Sequence, residues 1–235
     1  MKEPAVIAIL LAAGQGSRFG GEKNKLFAEL RGISVLERSA RILLEHPGIS
    51  RLLTVTSQAE EDRVRTLFEK AFPEHDIPVV RGGESRQESA LLGLMAAREL
   101  MPEKRGERTL VLIHDAARCL LPAPVISRAL EVINKDRCGT APGVPVADTI
   151  RLLDEEGAVE RTLPRPRLSA MQTPQGADLD VLLQAALRAR EAGISVTDDL
   201  ELLIRIGYPV RLIPGDRKNI KITTWEDALL AESFL

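Results

Sequence analysis

Arg18 and Lys25 are two cations set in, and just beyond, a loop built mostly of small residues, Leu11-Ala12-Ala13-Gly14-Gln15-Gly16-Ser17-Arg18-Phe19-Gly20. The loop follows a continuous apolar run, Ala5-Val6-Ile7-Ala8-Ile9-Leu10, which reads as a strand buried on both faces of a parallel sheet. Small residues leaving such a strand place bare backbone N–H groups where a phosphate chain can rest. Close backbone approach combined with fixed positive charge is chemistry for a nucleoside triphosphate. The plainer alternative is a glycine-rich turn with solvated cations. Two familiar phosphate motifs fail on inspection. The dinucleotide fingerprint needs glycine at position 19 and meets Phe19; the Walker pattern reaches Gly21 and then meets Glu22 where lysine is required. The protein-kinase signatures are absent as well. A secretory signal is disfavoured because Glu3 and Pro4 spoil its basic start, and removing the apolar run would delete the best first strand.

The elements that must hold this loop alternate between strand-like and helix-like patterns, which predicts βαβ crossovers, a mainly parallel sheet and one α/β domain spanning 1–235. A first helix is expected at about Ser34–Glu45, with Ser34 and Glu37 in capping-box spacing. Leu52–Thr56 reads as a second strand, followed by a helix through Leu67 and Phe68, and Ile77–Val80 then leads to Gly82-Gly83. Ser85 and Glu88 form another capping box before a helix carrying Leu91, Leu92, Leu94 and Met95. Thr109–Ile113 is a strongly apolar strand ending at His114-Asp115-Ala116-Ala117-Arg118. In open parallel sheets, ligand-facing residues lie just past the carboxyl ends of strands. Gly14, Gly82, Gly83, Asp115 and Arg118 all have that kind of position.

From about Pro145 to Pro166 the alternation breaks. Thr149–Leu153, Asp154-Glu155-Glu156-Gly157 and Ala158–Leu163 read as a β-hairpin turning at the glycine. It is expected to protrude as an arm. A hairpin with apolar teeth is marginal alone, so it needs cover from a second copy of the chain or from its own domain. Helices are then expected at about Asp178–Ala192 and Thr197–Ile206, late strands at Tyr208–Ile213 and Asn219–Thr223, and a closing helix at Trp225–Phe234. Asp198 and Asp199 read as the acidic first turn of their helix.

Composition narrows the function classes. A net charge of −2 and only 3 % aromatic residues disfavour nucleic-acid binding through a basic field or stacking platforms. No apolar run approaches the roughly 18–20 residues that span a bilayer. Two cysteines, Cys119 and Cys138, are too few for a disulfide framework and suit a reducing cytoplasm. His46, His75 and His114 lack the spacing of zinc ligands.

With these segments in place, the chain resembles the nucleotidyltransferases that move a nucleotide onto a phosphorylated alcohol. Within them it is most similar to the cytidylyltransferase family of the non-mevalonate isoprenoid pathway, which acts on 2-C-methyl-D-erythritol 4-phosphate. The resemblance runs over essentially the whole length. It is carried by Ala12-Ala13-Gly14 with Arg18 and Lys25, Gly82-Gly83 with Arg86 and Ser89, and Asp115-Ala116-Ala117-Arg118. Pro145-Val146-Ala147-Asp148-Thr149, Thr173-Pro174-Gln175, Thr197-Asp198 and Asn219-Ile220-Lys221 continue it. Three positions depart from the family pattern: Asn24 and Cys119 stand where proline is usual, and Glu84 where aspartate is commoner. The two lost prolines imply looser backbone near the site.

The resemblance implies a Rossmann-like, mainly parallel twisted sheet flanked by helices, of nucleotidyltransferase type, with the protruding β-arm at about 145–166 serving dimerisation. It implies that CTP reacts with the phosphorylated sugar alcohol to give the CDP-alcohol and pyrophosphate, with magnesium on the triphosphate. Arg18 and Lys25 match the stabilisers of charge at the α-phosphate and the leaving pyrophosphate. Cytosine and ribose fall to Ala12, Ala13, Gly14, Gly82, Gly83, Glu84 and Ser89. Arg165, coming from a partner subunit, and Lys221 would hold the substrate phosphate, with Arg161, Arg167 and Lys218 as competing candidates. Asp115, Arg118, Thr149, Thr173 and Thr197 would line the polyol pocket, although Asp115 equally suits a magnesium ligand. Ribitol 5-phosphate is an alternative acceptor, and a non-catalytic nucleotide-binding module an alternative function.

Overall fold

The computed structural model describes residues 4–14, 24–101 and 108–235. Its first strand, β1 (Ala5–Ala12), sends Val6, Ala8, Leu10 and Ala12 into one apolar cluster and Ile7, Ile9 and Leu11 into another. Period-two alternation with both faces apolar is what a central strand between two helical layers requires. After a 3₁₀ turn at Lys25–Phe27 come a short hairpin, β2 (Glu29–Leu30) and β3 (Ile33–Ser34), and then α1 (Val35–Leu44). The hairpin turns on Arg31 and Gly32, both at positive φ, and no pattern in the sequence had suggested it. Ser34 caps α1, its hydroxyl accepting the Glu37 N–H at 3.2 Å, but the expected box is only half made because the Glu37 carboxylate turns to Arg41 at 2.8 Å.

The chain continues through β4 (Arg51–Thr56), α2 (Glu61–Ala71), β5 (Val79–Arg81), α3 (Arg86–Glu99), β6 (Thr109–Asp115), α4 (Ala123–Asp136) and β7 (Gly139–Pro145). The hairpin β8 (Arg151–Leu153) and β9 (Val159–Thr162) follows, then β10 (Ser169–Met171), β11 (Gln175–Asp178) and α5 (Leu179–Glu191). Last come α6 (Asp199–Arg205), β12 (Val210–Pro214) and α7 (Trp225–Ser233).

The main sheet runs β10-β7-β11-β6-β1-β4-β5, with β12 also on β7. Its four parallel pairings are β1 with β4, β1 with β6, β4 with β5, and β7 with β12. Short antiparallel strands β10 and β11 pair with β7 and β6, so the sheet is mixed though mainly parallel. From β1 the chain winds outward through β4 to β5, then returns to β6 on the other flank of β1. That reversal is a topological switch point, where the loops leaving adjacent strands part and open a crevice. One cluster packs α1, α2, α4 and α7 on one face; the other packs α3, α5 and α6 on the opposite face.

The expected strand at Asn219–Thr223 is a loop instead. Its hydrogen bonds run to the turn after β6, with the Ile222 N–H on the Ala117 carbonyl at 2.8 Å and the Arg118 guanidinium on the Asn219 carbonyl at 2.8 Å. With Ile222 fully buried by this docking, no sheet edge was needed. The arm forms as a hairpin turning at Gly157, whose φ of +85° favours glycine. Among the described residues β8 and β9 pair only with each other, and Leu153 and Val159 stand more than half exposed.

Candidate active site

At the carboxyl ends of β1 and β6 lies a cleft of about 500 Å³. One wall is the exit of β1, where Ala13 and Gly14 face it, together with Gly83, Glu84 and Ser89. Gly82 itself is wedged behind them. A Cβ there would stand 2.7 Å from Ser89 Oγ and 2.9 Å from Ala13 Cβ, so only glycine lets these loops meet. Ser89 is buried, and its Oγ accepts the Gly83 N–H at 3.2 Å. It shapes the glycine loop while bordering the cleft. Ala12 ends β1 with its side chain in the core and lies behind the wall. Ser85 caps α3 by accepting the Glu88 N–H at 3.0 Å, while the Glu88 carboxylate takes the N–H of Glu84 at 2.8 Å. The two caps therefore hold the Glu84 backbone as well as starting the helix.

Lys25 reaches the cleft from the 3₁₀ turn; Arg18 lies outside the described residues. The looseness expected from Asn24 is offset by its side chain. Its Oδ1 accepts the Leu26 N–H at 3.1 Å and its Nδ2 donates to Glu60 Oε1 at 3.3 Å. Arg63, from the same turn as Glu60, stacks on the Phe27 ring 3.6 Å from its centroid. Asn24 also holds φ at −63°, the value a proline ring imposes. Asn24→Ala is therefore expected to lower turnover roughly fivefold, the rate equivalent of one lost cap, while Asn24→Pro stays near wild type. Equal rates for the alanine variant and wild type in a steady-state assay would contradict this brace. Cys119, at the other lost proline, is buried and its thiol is pushed up to about 11 by that burial. The turn before it is held instead by hydrogen bonds to Ala117 and Arg118 carbonyls.

The floor of the cleft is a network of alternating charge. Asp115, the last residue of β6, binds Lys221 Nζ through Oδ2 at 2.7 Å and Arg86 Nε through Oδ1 at 3.2 Å. Arg86 also reaches Asp199 Oδ2 at 2.8 Å. Burial favours the neutral acid at Asp115, but Arg86 and Lys221 outweigh it and hold the carboxyl well below the usual carboxylate range. Burial likewise opposes the Arg86 charge, and Asp199 and Asp115 more than compensate, so its pKa is raised. Asp199, fully buried, is pushed up by burial, which Arg86 opposes.

Arg86 and Asp199 were not singled out as site residues by the sequence. Asp198 is indeed the cap of α6, its Oδ1 accepting the Glu201 N–H at 2.9 Å. One aspartate suffices for a cap, so the second in Thr197-Asp198-Asp199 was the available signal.

Lys221 is placed by stitching between distant loops. Asn219 Nδ2 donates to the Thr173 carbonyl at 2.8 Å, and Gln172 Nε2 to the Asp216 carbonyl at 2.8 Å. A Thr224–Asp227 capping box then begins α7 just after it. Arg118 belongs to this stitching, binding the Asn219 and Met171 carbonyls, and does not line the cleft. Thr173 is buried, with its hydroxyl 2.9 Å from His114 Nδ1. It faces inward because the buried imidazole needs that partner. Thr149, Thr197 and Arg165 are exposed and stand off the cleft wall; Arg165 Nη1 donates to the Ala147 carbonyl at 2.9 Å.

Burial also pushes His114 down to about 4, far below the 6.5 of an unfolded chain, so the native imidazole is neutral. As pH falls from about 6.5 to about 4 the unfolded state takes up a proton that the native state refuses, and stability drops by about 3 kcal/mol. Asp115 adds a further loss in the same direction below the usual carboxylate range. Urea midpoints that stayed constant from pH 7.5 to 5 would contradict a neutral, buried His114.

A sheet wound both ways from β1 and β6, with a cleft at the switch point carrying Lys25, Arg86 and Lys221, defines a nucleotidyltransferase-type α/β protein. The chain belongs to the 2-C-methyl-D-erythritol 4-phosphate cytidylyltransferase (IspD) family, whose model matches residues 6–235. The 2-C-methyl-D-erythritol 4-phosphate cytidylyltransferase of Desulforamulus reducens is 38 % identical over 98 % of this chain and 95 % of that protein. That of Rubrobacter xylanophilus is 38 % identical over 97 % and 94 %. The structure of 4-diphosphocytidyl-2C-methyl-D-erythritol synthase from Anaerococcus prevotii superposes with a TM-score of 0.83 at 27 % identity, over 99 % of this chain and 96 % of that one.

Proposed function

We propose that this cleft transfers the cytidylyl group of CTP to the phosphate of 2-C-methyl-D-erythritol 4-phosphate. The observation that carries this reading is the meeting of Lys25 and Lys221, from opposite ends of the chain, on one cleft beside a glycine loop. The nucleophile is an oxygen of the substrate phosphate, which is mostly dianionic at neutral pH. It attacks the α-phosphorus, the bond to the β-phosphate bridging oxygen breaks, and pyrophosphate leaves with that electron pair. No proton need be removed, so the work is in-line positioning and neutralisation of like charges.

Lys25, with Arg18, stabilises charge at the α-phosphate and on the leaving group. The Ala13-Gly14 and Gly82-Gly83-Glu84 backbones, set by Ser89, read the base and ribose. Lys221 holds the substrate phosphate, and Asp115 orients Lys221 and accepts from a substrate hydroxyl. Arg165 is the second phosphate clamp, supplied by the arm of a partner subunit in a homodimer. The exposed Leu153 and Val159 of the arm, and the position of Arg165 off its own cleft, support that arrangement. Magnesium fits as an ion carried on the triphosphate: each Asp115 oxygen already meets a cation, which disfavours a second cation there yet leaves a lone pair for a substrate hydroxyl, and such ions are held largely by substrate phosphates and water. It would neutralise phosphate charge. Thr149 and Thr197 join the polyol pocket only through the arm and loop that carry them. The whole chain acts as one domain, in the cytoplasm, where its two unpaired cysteines are at home. No helix among the described residues is long and apolar enough to cross a membrane.

Pyrophosphate release from CTP with magnesium, measured for 2-C-methyl-D-erythritol 4-phosphate and ribitol 5-phosphate in turn, tests the reading. Turnover is expected with the first. Turnover with ribitol 5-phosphate alone, or CTP binding with no turnover on either, would replace it by the sister activity or by a binding module.

A further inference from the structure

We propose that His114 is a positioning residue for the alcohol-phosphate half of the site, holding Asp115 and the turn after it through a closed circuit of hydrogen bonds. The inference rests on the reading above that Asp115 faces the substrate alcohol. His114 is the penultimate residue of β6, a strand whose preceding residues Leu110, Val111, Leu112 and Ile113 are all buried and apolar. An imidazole there, with no exposed surface, is costly unless both nitrogens are satisfied.

Both are. Nε2 lies 3.0 Å from the Arg118 carbonyl and Nδ1 2.9 Å from Thr173 Oγ1. A carbonyl only accepts, so Nε2 carries the proton, and Nδ1 of the neutral ring must then accept from the Thr173 hydroxyl. The Thr173 oxygen in turn accepts the Asp115 N–H at 3.1 Å. The circuit leaves the backbone of Asp115, passes through Thr173 and His114, and returns to the backbone of Arg118. The Arg118 N–H closes the turn on the Asp115 carbonyl at 2.9 Å. Every donor has one acceptor and the direction of each bond is determined. Asp115 is thereby held where its two oxygens meet Arg86 and Lys221.

The circuit touches the cleft only through Asp115 and the turn. Its loss should therefore act on the alcohol phosphate and spare CTP. His114→Phe, which keeps the ring volume and removes both bonds, is expected to raise KM for the alcohol phosphate roughly tenfold, the scale of a broken buried hydrogen bond. KM for CTP should stay within about twofold. His114→Asn, whose Oδ1 can replace Nδ1 toward Thr173, should recover part of the loss. A purely structural role would move both KM values together and track the melting temperature. Should the phenylalanine variant not fold, His114→Asn and His114→Gln, each keeping one bond, carry the same KM comparison.

Asp115→Asn measured alongside separates two failures. An unchanged KM for the alcohol phosphate in Asp115→Asn removes the underlying reading. A raised KM there, with His114 variants at wild-type KM or shifted equally for both substrates, overturns the role of His114 alone.

Discussion

Lys25→Ala is expected to lower kcat for cytidylyl transfer by about 10²–10³, the usual cost of removing one charge-stabilising donor aimed at a transition state. Lys25 sits half-buried on a 3₁₀ turn that borders the cleft. The turn keeps its apolar anchor Leu26 in the core and its Asn24 cap, so the fold should tolerate the change. Melting temperature should remain within about 2 °C while pyrophosphate release collapses. The charge needed at the α-phosphate grows during bond exchange, so kcat should fall more than the affinity for CTP. A folded Lys25→Ala variant with near wild-type kcat would remove Lys25 from the chemistry and return it to a solvated surface cation.

Arg86→Ala should produce the largest loss of stability available in the cleft, about 3–5 kcal/mol, the range measured when one partner of a buried ion pair is deleted. One guanidinium serves two buried carboxylates, Asp115 and Asp199. Removing it leaves Asp199 with no cation in contact among the described residues and Asp115 with Lys221 alone. At roughly 2–4 °C per kcal/mol for a protein of this size, the melting temperature should fall by about 10 °C. Arg86→Lys should rescue little, because a single ammonium cannot fork between two carboxylates. Arg86→Ala with Asp199→Asn should recover part of the stability, since the stranded charge is gone. A melting temperature within 2 °C of wild type in Arg86→Ala, or no recovery in the double variant, would show that the pair contributes nothing.

Much of the layout was legible from local pattern. The run from Ala5 to Leu10 is apolar at every position, as a strand covered on both faces requires, and its clusters divide by alternate residues. Ser34, Ser85 and Asp154–Gly157 were readable because caps and turns are made by residues a few positions apart. The antiparallel β10 and β11 were not, because strands of three and four residues rich in small side chains carry no usable period. Asn219–Thr223 was misread as a strand since its alternation is real, but its partner is a turn about a hundred residues earlier.

The sequence by itself determined the kind of chemistry. Small residues after a buried strand, followed by fixed cations, point to phosphate chemistry, because strand, turn and charge are properties of adjacent residues. Tertiary structure alone decided which charged groups meet. Arg86 pairs with Asp115 and Asp199, Lys221 with Asp115, and Thr173 turns inward to His114. Each of these contacts joins segments between 29 and 113 residues apart. Coulomb attraction and buried hydrogen bonds depend on distance in space, and that distance exists only once β1 and β6 lie side by side and their loops part.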